Sequence, residues 1–194
     1  MQRWDDLDRF FIEEATLDLQ AGVGVVPCLA AFRGERPLFL AFVRSFEPGA
    51  YARPLTELLA LAGPLAADRL AVSLAGRAWS LNDPIPPVTV DTDLRQPVLI
   101  IQRVDAHGRP PGGGSTLVPF EPVDGTVRWG QARNLDLPEG WIARALVLTC
   151  SRQFRASLAD SRRQAVRCVV LGHRLLLAPD VAEQLRLGAT RSSS

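Results

Sequence analysis

The 194 residues include 22 arginines, 21 acids and no lysine, for a formal charge of +1, with 47% hydrophobic and 22% charged residues. That balance excludes a chain disordered throughout, and the missing lysine excludes Schiff-base chemistry and any phosphate loop built on a lysine. The length suits one domain with a sizeable core, but charge is divided unevenly: residues 1–99 hold 9 arginines against 13 acids and residues 100–194 hold 13 against 8, about −4 and +5.

From Trp4, the apolar residues Trp4, Leu7, Phe10, Phe11, Ala15 and Leu17 fall mostly at spacings of three and four. This predicts an amphipathic helix over residues 4–20, with its early acids at the positive end of the helix dipole. Gly22 and Gly24 end it. Two apolar runs within residues 25–46 flank the polar turn Arg33-Gly34-Glu35-Arg36 and predict a β-hairpin. Its second run, residues 37–43, barely alternates, which fits a central strand covered on both faces. Pro54 then starts a central helix over residues 55–68, broken or kinked at Gly63-Pro64.

Residues 69–81 predict a second hairpin turning at Gly76-Arg77, and the proline-rich residues 82–96 an extended connector. A strand follows over 97–104, then a flexible surface loop over 109–115. Asp124-Gly125 supplies the tight turn of a third hairpin, residues 117–129. Residues 141–150 read as a strand, 151–163 as a short helix or a curled strand, and 165–178 as a fourth hairpin turning at Gly172-His173. A last short helix is predicted over 181–187, and residues 188–194 as a flexible tail. The hairpins at 28–41 and 168–178 share a Cys, a Gly turn, an Arg and a Leu-rich return, a likeness we read as coincidence between two buried hairpins. The whole predicts one α+β domain over residues 1–187. Its sheet is mixed, mostly antiparallel and built from hairpins, with an N-terminal, a central and a short C-terminal helix.

No complete catalytic, metal or cofactor signature is present. Cys150 precedes Arg152 and Arg155, where positive charge would lower a thiol pKa, but Arg155 stands one residue short of the phosphatase-type spacing. His173 would be the base of a small thiol-dependent hydrolase if the fold brought it to Cys150. The expectation is instead that Cys28, Cys150 and Cys168, each in or beside an apolar run, are buried thiols in a reducing cytosol. Cys150, Cys168, His107 and His173 lack paired metal-ligand spacing, so no metal and no cofactor is expected. Asp91 and Asp93 read as solvated acids of the connector. Gly112-Gly113-Gly114-Ser115-Thr116 lacks the strand, loop and helix order of a phosphate cradle. Gly22-Val23-Gly24 likewise reads as a turn.

The strongest polar feature is the series Arg152, Arg155, Arg162, Arg163, Arg167 and Arg174, answered within that stretch only by Asp160. On one face it would bind anions or nucleic acid in a salt-dependent way, although Phe154 is its only aromatic neighbour for base stacking. The leading expectation is a non-enzymatic regulatory or protein-interaction module that self-associates, using Trp4, Phe10 and Phe11. An acidic start without an export pattern and no run of about 18 apolar residues predict a cytoplasmic chain outside the membrane.

Overall fold

In the computed structural model, which describes residues 4–47, 49–79, 84, 93–107, 112–136, 140–151 and 157–190, the first amphipathic stretch folds as α1 (Trp4–Gln20). It buries Leu7, Phe11 and Ala15, one per turn along one face. Phe11, expected to serve self-association, is instead core at 1% exposure, because its four-residue spacing from Leu7 and Ala15 fixes it to the same stripe. β1 (Cys28–Arg33) and β2 (Arg36–Phe42) form the expected hairpin, turning at Gly34 with φ +59°. Leu38 is the extra residue of a bulge just after Pro37, which has no N–H for the ladder.

α2 (Ala52–Ala62) holds Pro54 in its first turn and stops short of Asp68, because Pro64 cannot continue a helix. Residues 69–81 are a second correction. β3 (Arg69–Ala78) runs straight through Gly76 and pairs along its full length with β4 (Gln96–Asp105). Gly76 marks close packing, since a Cβ there would lie 2.4 Å from Ile100 Cδ1. β5 (Gly112–Val123) absorbs the three glycines expected in a loop, pairing Gly112 with Asp105 and Gly114 with Arg103. The Asp124-Gly125 turn leads to β6 (Thr126–Trp129), and β7 (Arg133–Asp136) continues along the same side of β5. Both turn residues have positive φ, 46° and 76°.

The region after Gly140 is helical: residues 141–150, expected as a strand, form a helix, and within 151–163, read as a short helix or a curled strand, the described residues from 158 on are helical. α3 (Trp141–Ser151) buries Ile142, Ala143, Leu146 and Cys150 along one face, with Trp141 and Leu148 left outside. α4 (Leu158–Val170) starts at a capping box in which the Ser157 side chain accepts from Asp160 N–H and the Asp160 carboxylate accepts from Ser157 N–H. β8 (Arg174–Leu177) follows, then α5 (Pro179–Thr190), which reaches into the stretch expected as tail. The supposed fourth hairpin is thus a helix end, a turn and one strand, and its likeness to the first hairpin carries no structural repeat.

The strand order is β6-β5-β4-β3-β1-β2-β8, with β7 also on β5, and every pairing is antiparallel. The α+β expectation holds, without a parallel pair among the described residues. α1 covers one face of the sheet, packing on Cys28, Ala30, Phe32, Ala71, Leu99 and Ile101. Helices α2 to α5 cover the other, over Leu29, Ala31, Ala41, Leu70, Val72 and Val104. Every side chain of β1 up to Phe32 is buried, in alternation toward the two helical layers. Each fully buried leucine in such a layer contributes about 1.5–3 kcal/mol.

Candidate functional site

Cys150 and His173 are held at opposite ends of the sheet. Cys150, on α3, is buried, and desolvation pushes its thiol up to about 12, with Asp68 and Asp105 adding to the rise. Those two acids stand where β3 begins and β4 ends. His173 lies at the other end, just before Arg174 pairs with Phe42. Its ring is fully occupied: Nδ1 accepts from Arg44 N–H at 3.2 Å and Nε2 lies 3.0 Å from Glu57 Oε2. Since Nδ1 accepts, Nε2 carries the proton and donates it to the carboxylate.

Glu57 was not singled out in the sequence, yet it organises this corner. It projects from α2 with 10% of its side chain exposed and takes hydrogen bonds from Arg44 Nε at 2.9 Å and from the His173 ring. The Arg44 hydrogen bond, then that from His173, holds its carboxyl down at about 2. Its backbone carbonyl accepts from Gln164 Nε2 at 3.1 Å and from the Cys168 thiol at 3.6 Å. The cluster ties α2, α4, the end of β2 and the start of β8 together. Burial raises the thiols of Cys28 and Cys168 as well.

Among the described residues, the late arginines do not share one face. Arg152 and Arg155 lie outside the described residues. Arg163 is paired with Asp160 one helical turn away. Arg162 turns toward α5, while Arg163 and Arg167 lie about a quarter-turn and more from it on α4. Arg174 is on the opposite side of the sheet, its guanidinium 3.8 Å from the Phe42 ring centroid and 3.8 Å from Glu14 of α1. Of the remaining candidates, Asp91 lies outside the described residues and Asp93 is held at about 2 chiefly by its hydrogen bonds from Arg95. His107 sits 3.2 Å from Asp68. Gly22 and Gly24 are turn residues with positive φ. Among the described residues no group of three or more His, Cys, Asp or Glu is placed to hold a metal ion, and no helix is long and apolar enough to cross a membrane.

A second polar network joins α1 to the far side of the sheet. Asp8 Oδ2 accepts from Arg103 at 3.0 Å, Arg103 also donates to Thr116, and Thr116 donates to Asn134 Oδ1 at 2.9 Å. The Trp4 ring lies 4.4 Å from the Arg69 guanidinium and 5.9 Å from that of Arg103. Asp8 Oδ1 is buried without a partner among the described residues, and desolvation raises the Asp8 pKa against the pull of Arg103. With its cations each engaged by protein groups, this network serves as a clasp between α1, β4, β5 and β7.

The open ground is at β8. Ala178 N–H donates to Leu38 at 2.9 Å, so in this register Arg174 and Leu176 direct their backbone groups to β2 while Leu175 and Leu177 direct theirs outward. A hollow flanks the strand on each face of the sheet. On the side of α4 and α5 a groove of about 430 Å³ is lined by Val166, Val169, Leu175, Leu177 and Leu185, with Arg162 and Arg186 among its walls. On the α1 side a hollow of about 310 Å³ is lined by Phe10, Pro37, Leu40 and Leu176, with Asp6 also on its wall. Comparison with protein-family models, curated proteins and solved structures found no match.

Proposed function

We propose that this chain is a protein-binding module whose binding surface is the β8 end of the sheet. The observation that carries the reading is α4, a helix capped and packed on one side whose other side offers Val166, Val169 and Val170 to solvent. These are 55%, 58% and 79% exposed, and Leu176 of the adjoining strand is 51% exposed. Isolated exposed valines are ordinary. Three valines lining one groove, with Leu176 in the hollow on the opposite face of the same open strand edge, are the signature of a surface that a partner covers. The anion-binding alternative draws less support, because the described late arginines are dispersed and Arg163 is already paired.

The test is a photo-crosslinking residue placed at Val170, with a control at Leu17, which is 60% exposed on α1. In cells of the native host, Val170 should give a discrete adduct with a protein identified by mass, and Leu17 should give none. Equal, diffuse labelling at both positions, or none at either, would overturn the reading.

A further inference from the structure

Resting on that reading, we infer that the β8 edge takes an extended segment of another protein as an added strand, and that this segment is apolar at its centre and acidic at its flanks. Three observations combine. First, the outward N–H and C=O groups of Leu175 and Leu177 have no hydrogen-bond partner among the described residues, which leaves a ladder ready to accept a strand. Second, hollows lie on both faces of this same edge, and Leu177 lines both of them. A strand laid beside β8 alternates its side chains between the two faces. One set enters the groove toward α4 and α5, and the other enters the hollow toward Phe10.

The third observation is charge. Arg162 and Arg186 line the groove and pair with no acid among the described residues. An acidic flank on the incoming strand supplies their counterions. A second copy of this chain fits less well, since a two-fold pairing of β8 with itself sets the same arginine-walled groove of each copy beside the other. The rim therefore selects against self-pairing and for an acidic partner.

The probe is a blocked peptide of sequence Asp-Glu-Val-Leu-Val-Leu-Glu-Asp, titrated into the full isotope-labelled chain and followed by amide NMR and hydrogen exchange. The expected result is saturable binding in which the Leu175 and Leu177 amides become protected from exchange. Replacing the peptide acids by lysine should weaken binding about tenfold or more, and the double variant Arg162→Glu, Arg186→Glu should reverse that preference. Val169→Asp, at an exposed position where the fold is not at stake, should weaken it by filling the groove with charge. Equal affinity for the acidic and lysine peptides overturns the inference. So does binding that leaves both amides exchanging, which marks a helix seated in the groove. Concentration-dependent dimers that protect those amides without peptide make the second copy the occupant and overturn it too. Absent peptide binding with a persisting Val170 adduct overturns strand addition and leaves the binding module standing; loss of both overturns both.

Discussion

The two edges of the sheet are built on opposite plans. At one end β6 and β7 are short, separated by a kink at residues 130–132, and carry Arg128, Arg133 and Asp136 into solvent. The register across β5 shifts by one residue between them, and Gly130 at the kink donates to Pro119 at 2.8 Å. Kinks, short strands and outward charges all hinder strand addition. At the other end β8 is also short, but it reads Arg-Leu-Leu-Leu, runs unbroken in register with β2 and has apolar hollows on both sides. One edge is guarded and the other is left open, a difference that follows from side chains and not from topology.

The same contrast extends to what holds each edge in place. The β8 end depends on the buried His173–Glu57–Arg44 cluster, whereas the β6 and β7 end leans on α1 through Trp129 and through the Asp8 network. The largest expected effect is at β8. His173→Ala should cost about 3 kcal/mol, through a lost buried side chain and an unpaired Arg44 N–H, seen as a lower urea midpoint at unchanged slope. The β8 amides should exchange first. A loss below about 1 kcal/mol would remove His173 from its assigned role.

Acid should act on the two ends with opposite sign. The Glu57 carboxyl is held at about 2 against an ordinary 4.5, so its contribution is fully present above 4.5 and is lost as pH falls toward 2. The Asp8 carboxyl is raised, so its charged form costs stability, and that cost is relieved as pH falls through its folded pKa. Urea midpoints taken across this range should show a shallower acid loss in Glu57→Gln. Asp8→Asn should gain most relative to the parent at neutral pH. Parallel pH curves for all three proteins would contradict both assignments. The smallest effect is expected at the guarded edge: the Arg128–Glu121 pair is 3.5 Å long and 72% and 67% exposed, so Arg128→Ala should change stability by less than about 0.5 kcal/mol.

Much of the α1 side of the molecule was legible in the sequence. The helix stripe Leu7, Phe11, Ala15, the Gly34 hairpin and the Asp124-Gly125 turn each rest on a local signal that the tertiary structure agrees with. Gly76 misled because its reason is a neighbour 24 positions away: the missing Cβ makes room for Ile100, and no turn is involved. α3 and the second half of α4 misled for a related cause. Trp141 and Leu148 on α3, and Val166, Val169 and Val170 on α4, are apolar residues on outer faces, and they erase the helical period that would have revealed both helices. The capping box at Ser157 and Asp160 was the overlooked local signal.

The site was legible only in fragments. Arg162 belongs to the arginine series visible in the sequence, but its groove is completed by α5 and β8, whose relation to α4 depends on a turn that carries the local signal of a hairpin. Glu57 lies 116 positions from His173, and Asp8 lies 95 from Arg103, so neither cluster has a sequence spacing to recognise. The disturbed period of α4 and its exposed apolar face are the same fact. A helix that leaves valines on its outer face shows, in one chain alone, a spoiled pattern.

The three thiols give the molecule its own set of clocks. Cys28 lies beneath α1, Cys150 faces the sheet from α3, and Cys168 holds α4 against the Glu57 carbonyl of α2. All three are buried and free, with pKa values raised by desolvation, so a thiol reagent reads each one only when its own cover lifts. The order in which they react in the parent chain reports, without any introduced label, which helical layer loosens first.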